Sequence, residues 1–147
     1  MKVPGRLWLS GLGLGYLPIA PATWGSLLGL GIAYGLSFLP WALRSGLALT
    51  GWFFSAWLLH QSLGKTPEDP DPNWIVADEY GALALLPILI PLTSPMMAAL
   101  AFFFFRFWDI CKIFPGDWVE ALPMPWGILV DDIVAMIYAA LCLLLIV

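Results

Sequence analysis

The chain has 147 residues, of which 61% are apolar and 11% are charged, and its formal net charge is -4. Soluble domains usually carry about 25% charged residues, so the composition excludes an ordinary soluble protein and predicts a chain embedded in a membrane. The six basic residues form no basic stripe, so no nucleic-acid partner is expected. Two distant cysteines without a CxxC motif predict neither a disulfide nor a zinc site. The length suits a single domain over residues 1–147.

The first 23 residues are predicted to form a loop rich in Gly and Pro. This segment is expected to be retained, because Pro21 lies inside the only candidate signal-peptide cleavage site. Thr23 is the expected N-cap of the first long helix. The hydroxyl groups of Thr23 and Ser26, with free backbone N–H groups at the helix start, could hold a phosphate group.

Long stretches of the chain contain no Lys, Arg, Asp or Glu: residues 7–43, 45–64 and 80–105. About 20 apolar residues suffice to span a bilayer, so each stretch can cross at least once. Pro and Gly divide the chain into five apolar helices, predicted at residues 24–39, 42–63, 74–90, 95–113 and 127–147. The predicted fold is an all-α polytopic membrane bundle of about five helices, or of four if the 80–105 stretch is not split.

Five alternating helices would place residues 1–23, 64–74 and 113–127 on one side of the membrane. Five of the six basic residues then lie on or near that side, and Arg44 alone lies on the other. Because Lys and Arg favour the cytoplasmic side, the N-terminus is predicted inside and the C-terminus outside. A path of four helices would instead separate Asp78 from Asp131 by the bilayer.

Five acidic residues border long apolar helices: Asp78, Glu79, Asp109, Asp131 and Asp132. An unpaired carboxylate is costly there. The five-helix path brings all five to one side together with Arg106 and Lys112. Five carboxylates outnumber two cations, and a divalent ion such as Mg²⁺ would relieve the excess through oxygen ligands. The alternative explanation for these charged residues is that they solvate helix ends or form structural ion pairs. His60, the only histidine, is predicted to be a structural residue.

Taken in order, the polar segments resemble the phosphatidylglycerophosphatase A family over nearly the whole chain. The resemblance rests on these motifs: Gly13-x-Gly15-x-x-Pro18-x-x-Pro21-x-Thr23-x-Gly25-Ser26, His60-Gln61, Asp71-Pro72, Ile75-Val76-x-Asp78-Glu79-x-Gly81, Phe105-Arg106-x-x-Asp109-x-x-Lys112 and Gly127-Ile128-x-x-Asp131-Asp132. The chain departs from the family pattern at Ala22, Ile113, Pro125-Trp126 and Met136. None of these departures removes a charged residue.

The resemblance implies an Mg²⁺-dependent enzyme of the bacterial inner membrane, with its active site facing the cytoplasm. Its substrate would be a phospholipid, phosphatidylglycerophosphate, which loses its terminal phosphate to give phosphatidylglycerol. By position, the resemblance implies catalytic residues Asp78, Glu79, Asp109, Asp131 and Asp132. It also implies metal ligands Asp78, Glu79, Asp131 and Asp132, and substrate contacts from Thr23, Ser26, Arg106 and Lys112.

The attacking group is open between a metal-activated water, which we prefer, and an aspartate. The sequence lacks a Cys-x5-Arg loop, paired histidines and the DxDx start of other phosphatase classes, and it lacks the Asp-Gly-x2-Ala-Arg signature of phosphatidyl-alcohol synthases. The alternative function is a non-catalytic membrane protein, an ion pathway or a scaffold, in which the buried charges are structural.

Overall fold

The computed structural model describes residues 5–63, 72–112, 118–119, 121–123 and 126–147, and this part of the chain is all-helical. The all-α prediction is therefore confirmed. The helices are α1 (Arg6–Leu9), α2 (Pro21–Leu36), α3 (Trp41–Leu63), α4 (Ala77–Ala84), α5 (Leu86–Leu89), α6 (Pro95–Cys111) and α7 (Trp126–Ile146), with a 3₁₀ turn at Leu14–Tyr16. Two of the basic residues counted for the sidedness prediction, Lys2 and Lys65, lie outside the described part, as do Asp71, Ile113 and Pro125.

The start of α2 corrects the prediction for the N-terminal segment. The helix begins at Pro21, with Ala20 as its N-cap at a φ of 50°, so the N-cap prediction for Thr23 is wrong. Proline is favoured at the first helical position because its φ is already helical and its missing N–H would have no partner there. Residues 6–9 also form a helical turn, α1, within the predicted loop.

The long apolar stretch after Glu79 is broken twice. α4 gives way to α5 at Leu85, because Pro87 has no N–H and its ring clashes with the carbonyl four residues earlier. The chain is then extended at Ile90 and Ser94. Ser94 caps α6 by accepting the backbone N–H of Met97 at 3.2 Å. The split at residues 91–95 is the one that the five-helix prediction requires.

α2 packs closely along α4 in the same direction. A Cβ atom added to Gly25 would lie 2.6 Å from Val76 Cβ, and one added to Gly29 would lie 2.7 Å from Tyr80 Cα. A step of four residues along α2 therefore matches a step of four along α4. Only glycine permits such close backbone approach at these two positions.

The far end of α2 lies beside the connection into α6. Ser37 Oγ accepts the backbone N–H of Leu92 at 2.8 Å and donates to the carbonyl of Ala33 at 2.7 Å. α2 therefore ends close to where α6 begins, and the two helices, which are in contact, run antiparallel.

The core lies between the long helices, and the outside of the bundle is apolar as well. Leu59, Phe105 and Leu129 are fully buried, whereas Phe103 and Leu145 are 60% and 89% exposed. Among the residues that the structure describes, one helix, α7, is long and apolar enough to cross a membrane by length and composition.

Candidate active site

Carboxylates from three helices meet at one end of the bundle. The ligand oxygens of Asp78, Glu79 and Asp132 lie within 4.8 Å of one another, and we call these residues the inner group. Those of Asp109, Asp131 and Asp132 lie within the same distance and form the outer group. Asp132 belongs to both. Asp78 and Asp132 are only 6% and 4% exposed, so the carboxylates lie inside the bundle.

The N-terminal segment fixes the start of α4, which carries Asp78 and Glu79. The backbone N–H of Val76 donates to the carbonyl of Leu9 at 2.9 Å, and Tyr80 Oη donates to the carbonyl of Trp8 at 2.6 Å. These two hydrogen bonds flank the acidic pair on both sides. α1 is therefore a positioning element for the inner group, a role that no charge or motif in its sequence indicates.

The two basic residues near the site contact the outer group. Arg106 forms an ion pair with Asp109, and Lys112 Nζ lies 3.1 Å from Asp131 Oδ2. Partial desolvation lowers the pKa of Lys112, but the hydrogen bond and the negative charge of Asp131 outweigh it and raise the pKa overall. The Lys112 ammonium group is therefore charged at neutral pH. Within the described residues, neither Glu79 nor Asp132 forms an ion pair with a basic side chain.

The inner group fits a hard divalent cation. Glu79 Oε2 is buried and has no hydrogen-bond partner within the described part of the chain. Two carboxylate charges at the 4.8 Å limit repel by about 3 kcal/mol at an effective dielectric constant of about 20. Buried charges persist when they are paired or bound to a metal. An all-oxygen donor set is what Mg²⁺ and Ca²⁺ prefer.

The start of α2 lies at the same end of the bundle, because Gly25 packs against Val76, two residues before Asp78. Ser26 is fully buried, and its hydroxyl donates to the carbonyl of Ala22 at 2.8 Å. The backbone N–H groups of Thr23 and Trp24 both reach the carbonyl of Ala20, at 3.0 and 3.3 Å. These two N–H groups are therefore not free, and phosphate binding by the Thr23 and Ser26 side chains stays a prediction.

The structure groups the predicted metal ligands differently from the sequence. The prediction set Asp78, Glu79, Asp131 and Asp132 together, whereas Asp131 lies in the outer group and Asp109 joins it there. The spacing of three residues between Arg106, Asp109 and Lys112 predicted that these side chains lie near one face of α6. It gave no information about the distance from Asp109 to α7. His60, which was not predicted to be catalytic, is exposed near the end of α3.

Acidic residues inside a helical bundle, next to an arginine and a lysine, form a cluster that could bind a metal ion beside an anionic group. Comparison with known proteins makes this specific. The chain belongs to the phosphatidylglycerophosphatase A family, whose model matches residues 7–147. It is therefore an enzyme, a phosphatase, and the resemblance seen in its motifs is confirmed.

Two relatives illustrate the extent of the match, and both are named phosphatidylglycerophosphatase A. The protein from Escherichia coli strain K12 is 33% identical over 141 residues, which cover 95% of this chain and 81% of that protein. The protein from Haemophilus influenzae strain Rd is 36% identical over 142 residues, covering 94% and 85% of the two chains. No solved structure matches this chain.

Proposed function

We propose that this chain is an Mg²⁺-dependent phosphatase that removes the terminal phosphate of phosphatidylglycerophosphate to give phosphatidylglycerol. The substrate is taken from the names of the relatives. The observation that carries the reaction class is the convergence of five carboxylates with Arg106 and Lys112 at one end of the bundle. Membership of a phosphatase family argues against the non-catalytic alternative.

We assign Mg²⁺ to the inner group, Asp78, Glu79 and Asp132, because its ligand oxygens lie within 4.8 Å of one another and Glu79 Oε2 is buried with no hydrogen-bond partner among the described residues. Asp131 stays a candidate ligand because its ligand oxygen lies within 4.8 Å of that of Asp132. When bound, the cation would offset the carboxylate charge and polarise the phosphoryl oxygens. Asp109 and Asp131 lie beside this position, so either carboxylate can accept the proton of an attacking water.

Arg106 and Lys112 are proposed to hold the phosphoryl oxygens. A guanidinium group has five N–H donors and an ammonium group has three, so both can contact a phosphate group while keeping their carboxylate partners. The Lys112 side chain is 48% exposed and lies at the C-cap of α6, where a ligand can reach it. Thr23 and Ser26 would line the same end from α2, through their side chains.

The proposed location is the bacterial inner membrane, with the site at the cytoplasmic face. α3, α6 and α7 turn large apolar side chains outward, including Phe53, Phe103 and Leu145, and such a surface suits lipid better than water. The 21 residues of α7 extend about 32 Å, close to the roughly 30 Å of a hydrocarbon core. The basic side chains at the site favour the cytoplasmic face.

The activity is tested with the full chain purified in detergent, by measuring phosphate release from phosphatidylglycerophosphate with Mg²⁺ and with chelator. We expect release only with Mg²⁺, and a loss of at least about a hundredfold in Asp78→Asn and Asp131→Asn. His60→Gln, which changes an exposed residue outside the carboxylate groups, is the matched control and should retain activity. Equal release in chelator and Mg²⁺ would refute the metal assignment.

Topology is tested separately with a periplasmic reporter fused after Val147. Five crossings from a cytoplasmic N-terminus place the reporter in the periplasm, where it is active. An inactive reporter on a stably inserted protein would refute the five-crossing path.

A further inference from the structure

An apolar groove of about 390 Å³ lies between α2 and α6. Leu27, Gly31 and Tyr34 contribute to its wall from α2, and Ala98 and Ala99 contribute from α6. The groove is open at the surface: Leu27 is 41% exposed, and a Cβ atom added to Gly31 would meet nothing within 4 Å. Its lining, within the described part of the chain, contains no charged residue.

The groove leads away from the carboxylate end of the bundle. α2 begins beside the start of α4 and ends beside Leu92, so the groove lies between these two levels. Leu27 is four residues, about 6 Å, along α2 from Thr23. On α6, Ala98 lies eleven residues, roughly 16 Å, from Asp109, but Ala101 and Phe105 on the face between them are fully buried. The surface route from the carboxylate end to the groove therefore runs along α2, past the exposed Leu27. A ligand with its anionic end at the carboxylate end could extend along this route into the groove.

We propose that the groove holds one acyl chain of the phospholipid whose phosphate group lies at the carboxylate groups. This inference rests on the proposed function and identifies the part of the protein that recognises the lipid tail. A lipid can enter from the side, because the groove is open toward the surface that would face the bilayer. Its apolar lining matches an aliphatic chain and offers no partner for a polar headgroup.

Two other apolar cavities, of about 140 and 130 Å³, share Trp8, Ile32 and Tyr80 in their walls. They fit the role less well. Each has well under half the volume of the groove between α2 and α6, so neither offers an acyl chain as much room.

The groove is expected to orient the lipid and to add little affinity, because an acyl chain in a bilayer or micelle is already in apolar surroundings. Holding the tail limits the positions that the phosphate can take relative to the carboxylates, and correct positioning raises the rate of the chemical step. A substitution that fills the groove should therefore lower kcat/KM for long-chain substrates and leave it nearly unchanged for short-chain substrates.

The test compares the dioleoyl form of phosphatidylglycerophosphate with its dibutanoyl form, using the full chain in detergent micelles with Mg²⁺. Gly31→Leu fills the groove from α2, and Ala99→Leu fills it from α6. Gly35→Leu is the matched control, because it makes the same substitution one turn along α2, also in open space, at a residue that does not line the groove. Leucine has a higher helix propensity than glycine, so both α2 variants should fold.

For the dioleoyl substrate, we expect kcat/KM to fall about tenfold in Gly31→Leu and Ala99→Leu, because the phosphate group is no longer held in position relative to the carboxylates. For the dibutanoyl substrate, both variants should stay within about twofold of the parent protein, and Gly35→Leu should do so with both substrates. The proposal is overturned if the groove variants behave like Gly35→Leu, or if they slow both substrates equally. Inactivity of the parent protein toward both substrates would overturn the proposed function itself.

Discussion

Replacing Asp132 with asparagine should change the stability of the protein in opposite directions with and without Mg²⁺. Asp132 is 4% exposed and belongs to both carboxylate groups. Without metal, its charge is repelled by the neighbouring carboxylates, so an uncharged asparagine side chain at this position should stabilise the fold. In the proposed metal-bound state, the same charge is a ligand, so the substitution should remove the stabilisation expected from Mg²⁺.

The magnitude follows from the geometry of the inner group. When all three carboxylates are ionised, repulsion from Asp78 and Glu79 at the 4.8 Å limit is about 3 kcal/mol each at an effective dielectric constant of about 20, and uptake of a proton within the group relieves part of it. Attraction to Arg106 and Lys112, which pair with the outer group, offsets part of this sum. We therefore expect Asp132→Asn to gain about 1–3 kcal/mol in chelator, which raises the apparent Tm by roughly 3–9 °C for a chain of this size.

In Mg²⁺, the parent protein should melt at a higher temperature than Asp132→Asn. At a free concentration of about 100 times Kd, a ligand stabilises the folded state by about 2.7 kcal/mol, and Asp132→Asn should gain little of this. Tryptophan fluorescence during heating in detergent, in chelator and in Mg²⁺, measures both effects. Asp131→Asn is the control, because it loses the 3.1 Å contact with Lys112 and should not gain stability in chelator. An Asp132→Asn protein that melts below the parent in chelator would refute the reasoning.

Three further predictions concern packing and substrate binding. Gly29→Ala would place a Cβ atom 2.7 Å from the α4 backbone and should lower the unfolding free energy by about 1–3 kcal/mol. Gly35→Ala, which places its Cβ atom in open space, should leave the unfolding free energy unchanged. Thermal melting in detergent distinguishes the two variants. Ser37→Ala leaves the buried N–H of Leu92 without its acceptor and should lower the unfolding free energy by about 1–3 kcal/mol in the same assay. Lys112→Met should raise KM for the phospholipid at least about tenfold through loss of a charge-assisted contact, and an unchanged KM would remove Lys112 from the substrate site.

Several helix boundaries could be predicted because prolines separate the helices. Pro91 and Pro95 divide a stretch with no charged residue, and the structure is extended between the helices they flank. The helix starts were less predictable. Thr23 has the chemistry of an N-cap, but the preformed φ of Pro21 starts α2 earlier. The sequence did not predict α1, because a helix of four residues is too short to show a hydrophobic periodicity.

The members of the candidate site could be predicted, but their grouping could not. Charge in an apolar background selected Asp78, Glu79, Asp109, Asp131 and Asp132 directly from the sequence. Which carboxylates share a ligand position depends on how α4, α6 and α7 cross, and residue spacing within each helix carries no information about that. Asp132 as the shared member and Asp131 as the partner of Lys112 emerge only from the packing.

Charge at the site links metal binding to substrate binding. Five carboxylates with Arg106 and Lys112 carry a formal charge of -3 when all are ionised, by the count of -5 and +2. A phosphate monoester adds about -1.5 to -2 near neutral pH, so the phosphate group would be repelled from the site without a cation. Both basic side chains already hold carboxylates, so they cannot overcome this repulsion alone. In the proposed site, the same acidic residues that should make the metal-free fold less stable would therefore also make phosphate binding depend on Mg²⁺.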